Sequence, residues 1–290
     1  MKLAVHCANL TWPGGPEALA PTLARVAKVA DEGGVSTLTM MDHWFQMENL
    51  GGPPEPMLEG YTSLGFLAGQ TSRIELGLLV TGVTYRHPGL LAKIVTTLDV
   101  LSGGRAMLGL GAAWYEREHH GLGVPYPSTK ERFERLEEAL KICRLMFSGE
   151  GGTFEGTHYQ LTEATNVPAP LRAGGPRVLI GGSGERKTLR FVAQYADACN
   201  LFGTEPDEMR HKIEVLDQHC ADVGRDPGEV SRTAIVGVDP LDDLDGFLRT
   251  AEAYAALGIE QLWVGPQADD PVGSTERLCE ELLPRLAEIG

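Results

Sequence analysis

Two titratable side chains stand together at Asp42-His43, directly before Trp44. A histidine exchanges protons near neutral pH, and a neighbouring carboxylate can orient or charge the ring, so the pair suits general acid–base work. The same residues would also serve a structural turn, with Asp42 capping and His43 satisfying backbone groups. Their place at the exit of the apolar stretch Val35–Met41 favours chemistry. His6 sits inside the apolar run Leu3–Ala8, where it reads as a satisfied core histidine unless its strand turns it towards a site. Arg86, in Tyr85-Arg86-His87-Pro88, could pair with a carboxylate or phosphate or simply be solvated.

Two glycine-rich stretches add binding chemistry. Gly181-Gly182-Ser183-Gly184-Glu185 ends an apolar run and leads into a helical one. Free backbone N–H groups at a helix start suit an anion such as phosphate. A tight turn capped by Ser183 or Gly184 is the plainer reading, but three glycines exceed what a cap needs. Glu185 stands where a hydrolase elbow requires glycine, which sets that motif aside. The second stretch, Gly109-Leu110-Gly111-Ala112-Ala113-Trp114, lacks the third glycine of a dinucleotide fingerprint. Its small residues would let backbone approach a flat ligand, with Trp114 and Tyr115 packing on it. The following Glu116, Glu118, His119 and His120 invite a metal reading, but no second cluster of fixed spacing supports it. A solvated or supporting polar face is expected there, and no metal.

These residues need elements to position them. Apolar runs expected as strands cover 3–8, 35–41, 74–80, 105–110, 177–180, 197–202, 230–236 and 261–264. Helical periodicity marks 17–31, 61–70, 88–101, 128–147, a run ending at Tyr195, 208–223, 244–257 and 275–288. Eight strands alternating with helices predict a (β/α)8 TIM barrel over residues 1–290, with a doubly wound sheet as the runner-up. An insertion after strand 4, residues 148–176, is too long for an ordinary connection and is expected to cap the site. In such a barrel the strand exits carry the chemistry, and Asp42, Thr81, Gly111, Gly181 and Asn200 all fall at exits.

The chain has 290 residues, 42% hydrophobic and 22% charged, with a net charge of −15. That charge excludes nucleic acid and anionic membrane as general partners, though not a local anion site. Five cysteines without paired spacing suit reduced thiols, and with no signal-like start or membrane-length apolar run a cytoplasmic protein is expected.

Four segments, MDHWFQ, GLLVTGVTYRHP, LSGGRAMLGLGAAWYEREHHGLG and VLIGGSGERKTLRFVAQYADACN, fall in an order that resembles the luciferase-like monooxygenase superfamily. Within it the chain is most similar to the coenzyme F420-dependent oxidoreductases. The resemblance implies a barrel holding F420 at the strands' carboxyl ends, hydride transfer at C5 of the deazaflavin ring, and a small organic substrate. FMN is the alternative cofactor, in a monooxygenase using reduced flavin and oxygen; a non-catalytic flavin- or F420-binding protein is a second alternative. It also implies that Asp42 and His43 face the ring, with His43 the proton donor or acceptor. A non-proline cis peptide would lie at Leu79–Val80, behind the ring. Gly111, Ala112, Ala113 and Trp114 would line the cofactor, and Gly181, Gly182, Ser183 and Gly184 its phosphate, with Asn200 and His6 nearby. Arg86, Arg172, Arg177 or Lys187 would add positive charge, and a homodimer is expected. One departure stands out: sugar-phosphate dehydrogenases of the family carry a catalytic Glu near the position of Trp114, and here Glu116 comes about two residues later.

Overall fold

The computed structural model describes residues 1–203 and 205–289. Its eight main strands are β1 (Lys2–Cys7), β2 (Thr37–Met40), β3 (Glu75–Leu78), β4 (Ala106–Gly111), β5 (Arg177–Gly181), β6 (Ala198–Phe202), β7 (Ser231–Ile235) and β8 (Gln261–Val264). Each pairs in parallel with its sequence neighbours, and β8 returns to β1 through Lys2 opposite Gln261, closing a TIM barrel. The strand centres are buried, as parallel strands covered on both faces must be, although Ser231-Arg232 in β7 and Phe202 at the end of β6 reach the surface or its edge. Trp263, Met107, Leu179, Ala4 and Ala198 fill the inside, while a larger cluster lies between strands and helices.

The outer helices are α1 (Pro16–Gly33), α2 (Gly60–Ala68), α3 (Pro88–Ser102), α4 (Glu116–Leu122), α5 (Thr129–Ser148), α6 (Thr188–Tyr195), α7 (Pro206–Asp222), α8 (Leu244–Ala255), α9 (Pro271–Arg277) and α10 (Leu283–Ala287). Local chemistry sets several ends. Pro88 opens α3 in the first turn, where its missing N–H costs nothing, and Gly103 closes it at φ 72°. Ser128 caps α5 by accepting from the Glu131 backbone at 3.3 Å. The last helix, expected as one run over 275–288, instead begins at Pro271 and passes through a π-turn at Leu278–Leu282. Pro284 follows that turn and has no N–H to donate to the preceding one, which explains the altered hydrogen bonding.

Two features frame the site. Strand 3 ends at Leu78, the Leu79–Val80 peptide is cis as the resemblance implied, and the chain pairs again at Thr81–Gly82 with Leu110–Gly111. The 148–176 segment runs as a strap along α3 and α5. Its tip forms a small hairpin, Phe154–Glu155 with Gln160–Leu161, and touches the barrel rim where Tyr159 meets His87. Its return arm descends past Asn166, bonded to Thr96, to Arg172, which pairs with Glu75 at the amino end of β3. Glu138 of α5 collects the backbone N–H groups of Thr157, His158 and Tyr159, which ties the hairpin to that helix.

Candidate functional site

The exits of β2, β3 and β4 bring most of the singled-out residues together. Asp42 leaves β2 buried and makes a two-pronged ion pair with Arg86, at 2.6 and 2.9 Å. Burial pushes the Asp42 carboxyl up to about 6, against the pull of that guanidinium, so the pair stays ionised at neutral pH. Arg86 also binds Glu59 and lies 4.8 Å over the Tyr61 ring, whose hydroxyl meets Thr81 at 2.8 Å. Arg86 is thus held by two carboxylates, which corrects the expectation that it serves an anion in the site.

His43, next along, is only 12% exposed at its side chain and lies edge-on to Trp114 and Tyr115, 5.4 and 5.5 Å between ring centres. Its Nδ1 is 2.8 Å from Glu118 Oε1, and Glu118 is fully buried. The other oxygen of Glu118 accepts the backbone N–H groups of Trp44 and Phe45 at 2.7 and 3.2 Å. Tyr85 OH donates to Oε1 and lies 3.2 Å from His43 Nδ1. Burial alone would raise the Glu118 carboxyl, but the hydrogen bonds from His43, Tyr85 and the backbone outweigh it and hold the group below its ordinary range. His43 Nε2 has no hydrogen-bond partner among the described residues.

His6 reaches this cluster from β1, with Nδ1 2.9 Å from the Thr39 hydroxyl. Burial, then the charge of nearby His43, pushes it down to about 4, so it is neutral at pH 7. His119 is buried too, bonded to Thr84 Oγ1 at 2.7 Å and to the Tyr115 carbonyl at 2.9 Å, with Trp44, Tyr85 and Tyr126 around its ring. Glu116 and His120 make an exposed pair at 3.6 Å. The polar run after β4 therefore divides: Glu116 and His120 form the expected solvated face, whereas Glu118 and His119 turn inward.

Val80 packs against the interior cluster, where a Cβ on Gly111 would come within 2.9 Å of Val80 Cγ2 and one on Gly181 within 2.9 Å of Cγ1. A Cβ on Gly109 would lie 2.1 Å from the Leu78 carbonyl oxygen. Ala113 has a φ of 60°, unusual without glycine, and Trp114 beyond it is 60% exposed and stacked on Tyr115. Ala112 is fixed through its carbonyl, which accepts from Arg132 Nε at 3.1 Å.

Across the barrel, Gly182 has φ 115° and donates its N–H to the Asn200 carbonyl at 3.1 Å. Asn200 is buried, its side chain bonded to Thr233 at 2.9 Å, so it braces the loop. Ser183 accepts from the Phe202 backbone at 3.2 Å. Ser183 and Gly184 open onto a cleft of about 480 Å³ that is also lined by Lys130, Arg186, Lys187 and Lys212. Arg172 and Arg177 both pair with Glu75 at the opposite, amino end of the strands. Of the expected basic residues only Lys187 lies beside the glycine loop; Lys130 and Lys212 come from α5 and α7, far from it in sequence, and Arg186 adjoins Lys187 in the turn before α6. The sequence marks Glu118 only as part of a solvated or supporting polar face, and Tyr85 only as the neighbour of Arg86. The signal available was the spacing Tyr115-Glu118-His119, one face of a short helix.

The model of the luciferase-like monooxygenase family matches residues 1–256. An F420-dependent glucose-6-phosphate dehydrogenase of Kineococcus radiotolerans is 36% identical over 94% of this chain and 80% of its own length. A protein of the same name from Microbacterium testaceum is 31% identical over 88% of this chain and 74% of its own. Among solved structures, an F420-dependent secondary alcohol dehydrogenase in complex with an F420-acetone adduct superposes with a TM-score of 0.78 at 17% identity, covering 99% of both chains. The F420-dependent tetrahydromethanopterin reductase of Methanopyrus kandleri gives 0.77 at 17% identity, covering 98% of this chain and 99% of its own. At such identities these two structures speak for the fold. With a family model covering most of the chain and a relative above 30% identity, the protein belongs to the luciferase-like monooxygenase family.

Proposed function

We propose that this chain is a coenzyme F420-dependent oxidoreductase that moves a hydride to or from a small organic substrate. The observation that carries this reading is the 36% identity, over 94% of the chain, to an F420-dependent dehydrogenase. The residues present suit that cofactor. Gly111 and Gly181 leave room for the Val80 side chain at the strand exits, and small residues there suit close approach of a planar ring. The cleft at Ser183–Gly184 is lined by Arg186 and Lys187, with Lys212 paired to Glu185 at 2.6 Å and Lys130 to Glu134 at 3.7 Å, and its excess of cations suits an anionic phosphate-bearing tail in a chain otherwise strongly acidic.

When bound, F420 supplies a two-electron hydride carrier. The chain then has to supply the matching proton exchange, and His43 is the group for it. It is nearly enclosed, its Nδ1 is engaged by Glu118, and Nε2 is left to face a reactant. The Asp42–Arg86 pair holds the β2 exit on which His43 stands. A sugar phosphate is not the substrate favoured here: exposed Trp114 occupies the position implied for the sugar-phosphate enzymes' acid, and Glu116 is paired with His120 on the surface.

FMN is the competing cofactor, in keeping with the monooxygenase description of the matching family. Titrating the purified protein with F420 and with FMN decides between them. Saturable F420 binding, followed by absorbance near 420 nm, with no FMN carried through purification, is expected; FMN bound as purified would overturn the assignment. His43→Ala is expected to keep F420 binding while turnover falls by about 10²–10⁴-fold. Unchanged turnover would remove the proton role.

A further inference from the structure

One carboxylate outside the expected site has an unusual set of partners. Glu118 is fully buried, and three donors that do not depend on His43 point at it: Tyr85 OH on Oε1, and the backbone N–H groups of Trp44 and Phe45 on Oε2. His43 Nδ1 lies 2.8 Å from Oε1, at the remaining lone-pair site. Hydrogen bonds of this kind favour the charged form, and they hold Glu118 ionised against its burial. An ionised carboxylate only accepts, so the proton between it and His43 must sit on Nδ1.

Tyr85 offers no alternative. Its single hydroxyl hydrogen is used on Oε1, so at 3.2 Å it can only accept from Nδ1–H. Among the described residues His43 also faces the uncharged rings of Trp114 and Tyr115, and His6 on β1, which burial keeps neutral. Asp42, the adjacent acid, is turned away into its pair with Arg86.

We propose that Glu118 is the positioning residue of this site: by accepting Nδ1–H of His43 it holds the imidazole in one tautomer, leaving Nε2 as the nitrogen that exchanges the substrate's proton. The inference rests on the reading of His43 as the acid–base group, and it goes beyond that reading by naming the reacting atom and the residue that selects it. The same carboxylate also ties the loop after β2 to α4, so ring orientation and loop position are set together.

The test uses the full chain without cofactor. Long-range proton–nitrogen correlation spectra of ¹⁵N-labelled protein above neutral pH should show His43 protonated at Nδ1 and bare at Nε2. In Glu118→Gln the amide oxygen can still accept from Trp44 and Phe45, while its NH2 faces Nδ1. The tautomer should then invert to Nε2–H. Nε2–H in the wild type, or unchanged His43 nitrogen shifts in Glu118→Gln, would overturn the proposal. The wild-type spectrum alone decides if Glu118→Gln does not fold. With F420 and a working substrate, Glu118→Gln should lower kcat by about 10²-fold or more with little change in KM. Glu118→Asp should restore part of the activity and the Nδ1–H form; equal losses in both variants would reduce Glu118 to a purely structural tie. A failed F420 titration would remove the proposed reaction and leave the tautomer result standing.

Discussion

At the scale of single residues, a buried histidine beside His43 sets a pH dependence. His6 and His43 lie close enough to repel when both are protonated, and burial together with that repulsion keeps His6 down at about 4. The unfolded chain binds this proton at the ordinary histidine value near 6.5. Between the two values the unfolded state therefore binds more protons than the folded one. Stability from His6 is complete above about pH 6.5 and is lost as the pH falls towards 4. His6→Gln, which keeps a hydrogen-bonding group beside Thr39, should remove this component. Its melting temperature is expected to fall less than that of the wild type between pH 6.5 and pH 4, corresponding to roughly 2–3 kcal/mol. Parallel thermal melts check it, and identical pH dependence would contradict it. Asp42 works in the opposite sense: its raised pKa makes the folded state take up a proton as the pH falls through about 6, so it offsets part of the His6 loss in the wild type. The variant exposes the two contributions separately.

At the scale of elements, β4 and β5 meet the cis bulge after β3 through glycine. Gly111 and Gly109 differ in what crowds them, and this makes a sharp comparison. A Cβ at 111 is crowded by the Val80 side chain at 2.9 Å, with the Gly181 carbonyl at an ordinary 3.8 Å, whereas one at 109 meets the Leu78 carbonyl oxygen at 2.1 Å as well as Val80 Cγ1 at 3.0 Å. Gly111→Ala should cost about 1–3 kcal/mol by overpacking, and Val80→Ala in the same chain should recover most of it. Gly109→Ala should cost more, and Val80→Ala should not rescue it, because backbone cannot yield as a side chain does. Denaturant midpoints for the single and double variants measure the coupling; additive losses for the 111/80 pair would refute the packing account. The sequence marked both glycine stretches as binding elements. The structure adds a second reason for them, the room that Val80 requires, which no local pattern could indicate because Val80 and Gly181 are a hundred residues apart.

At the scale of the whole molecule, the barrel closes only when its last strand reaches its first. The family match ends at residue 256, yet β8 lies at Gln261–Val264 and pairs with both β1 and β7. Beyond it, α9 packs on α1, with Gly33 allowing close approach to Cys279, and the amino group of Met1 bonds to the Leu286 carbonyl. A chain ending at residue 256 would leave β1 and β7 with unpaired edges and remove fully buried Trp263 from the interior. It should lose the single cooperative thermal transition and expose apolar surface, as followed by calorimetry and dye binding. A sharp two-state melt of that chain would show that closure is dispensable.

The sequence by itself determined the eight-fold strand–helix alternation, hence the barrel, because parallel strands buried on both faces leave an unmistakable apolar record. It also placed Asp42, His43 and the two glycine loops at strand exits, since an exit is a local change from apolar to small and polar residues. Only the tertiary structure decided which groups touch. Glu118 lies 75 residues from the His43 it engages, and Arg86 lies 44 from Asp42. A charged residue in sequence looks the same whether it turns to solvent, as Glu116 does, or inward, as Glu118 does, and the choice is made by which face of a seven-residue helix packs on the barrel. The strap at 148–176 shows the same limit: its length was legible, but its course along α3 and α5 follows from Glu138, which gathers backbone donors some twenty residues further along the chain.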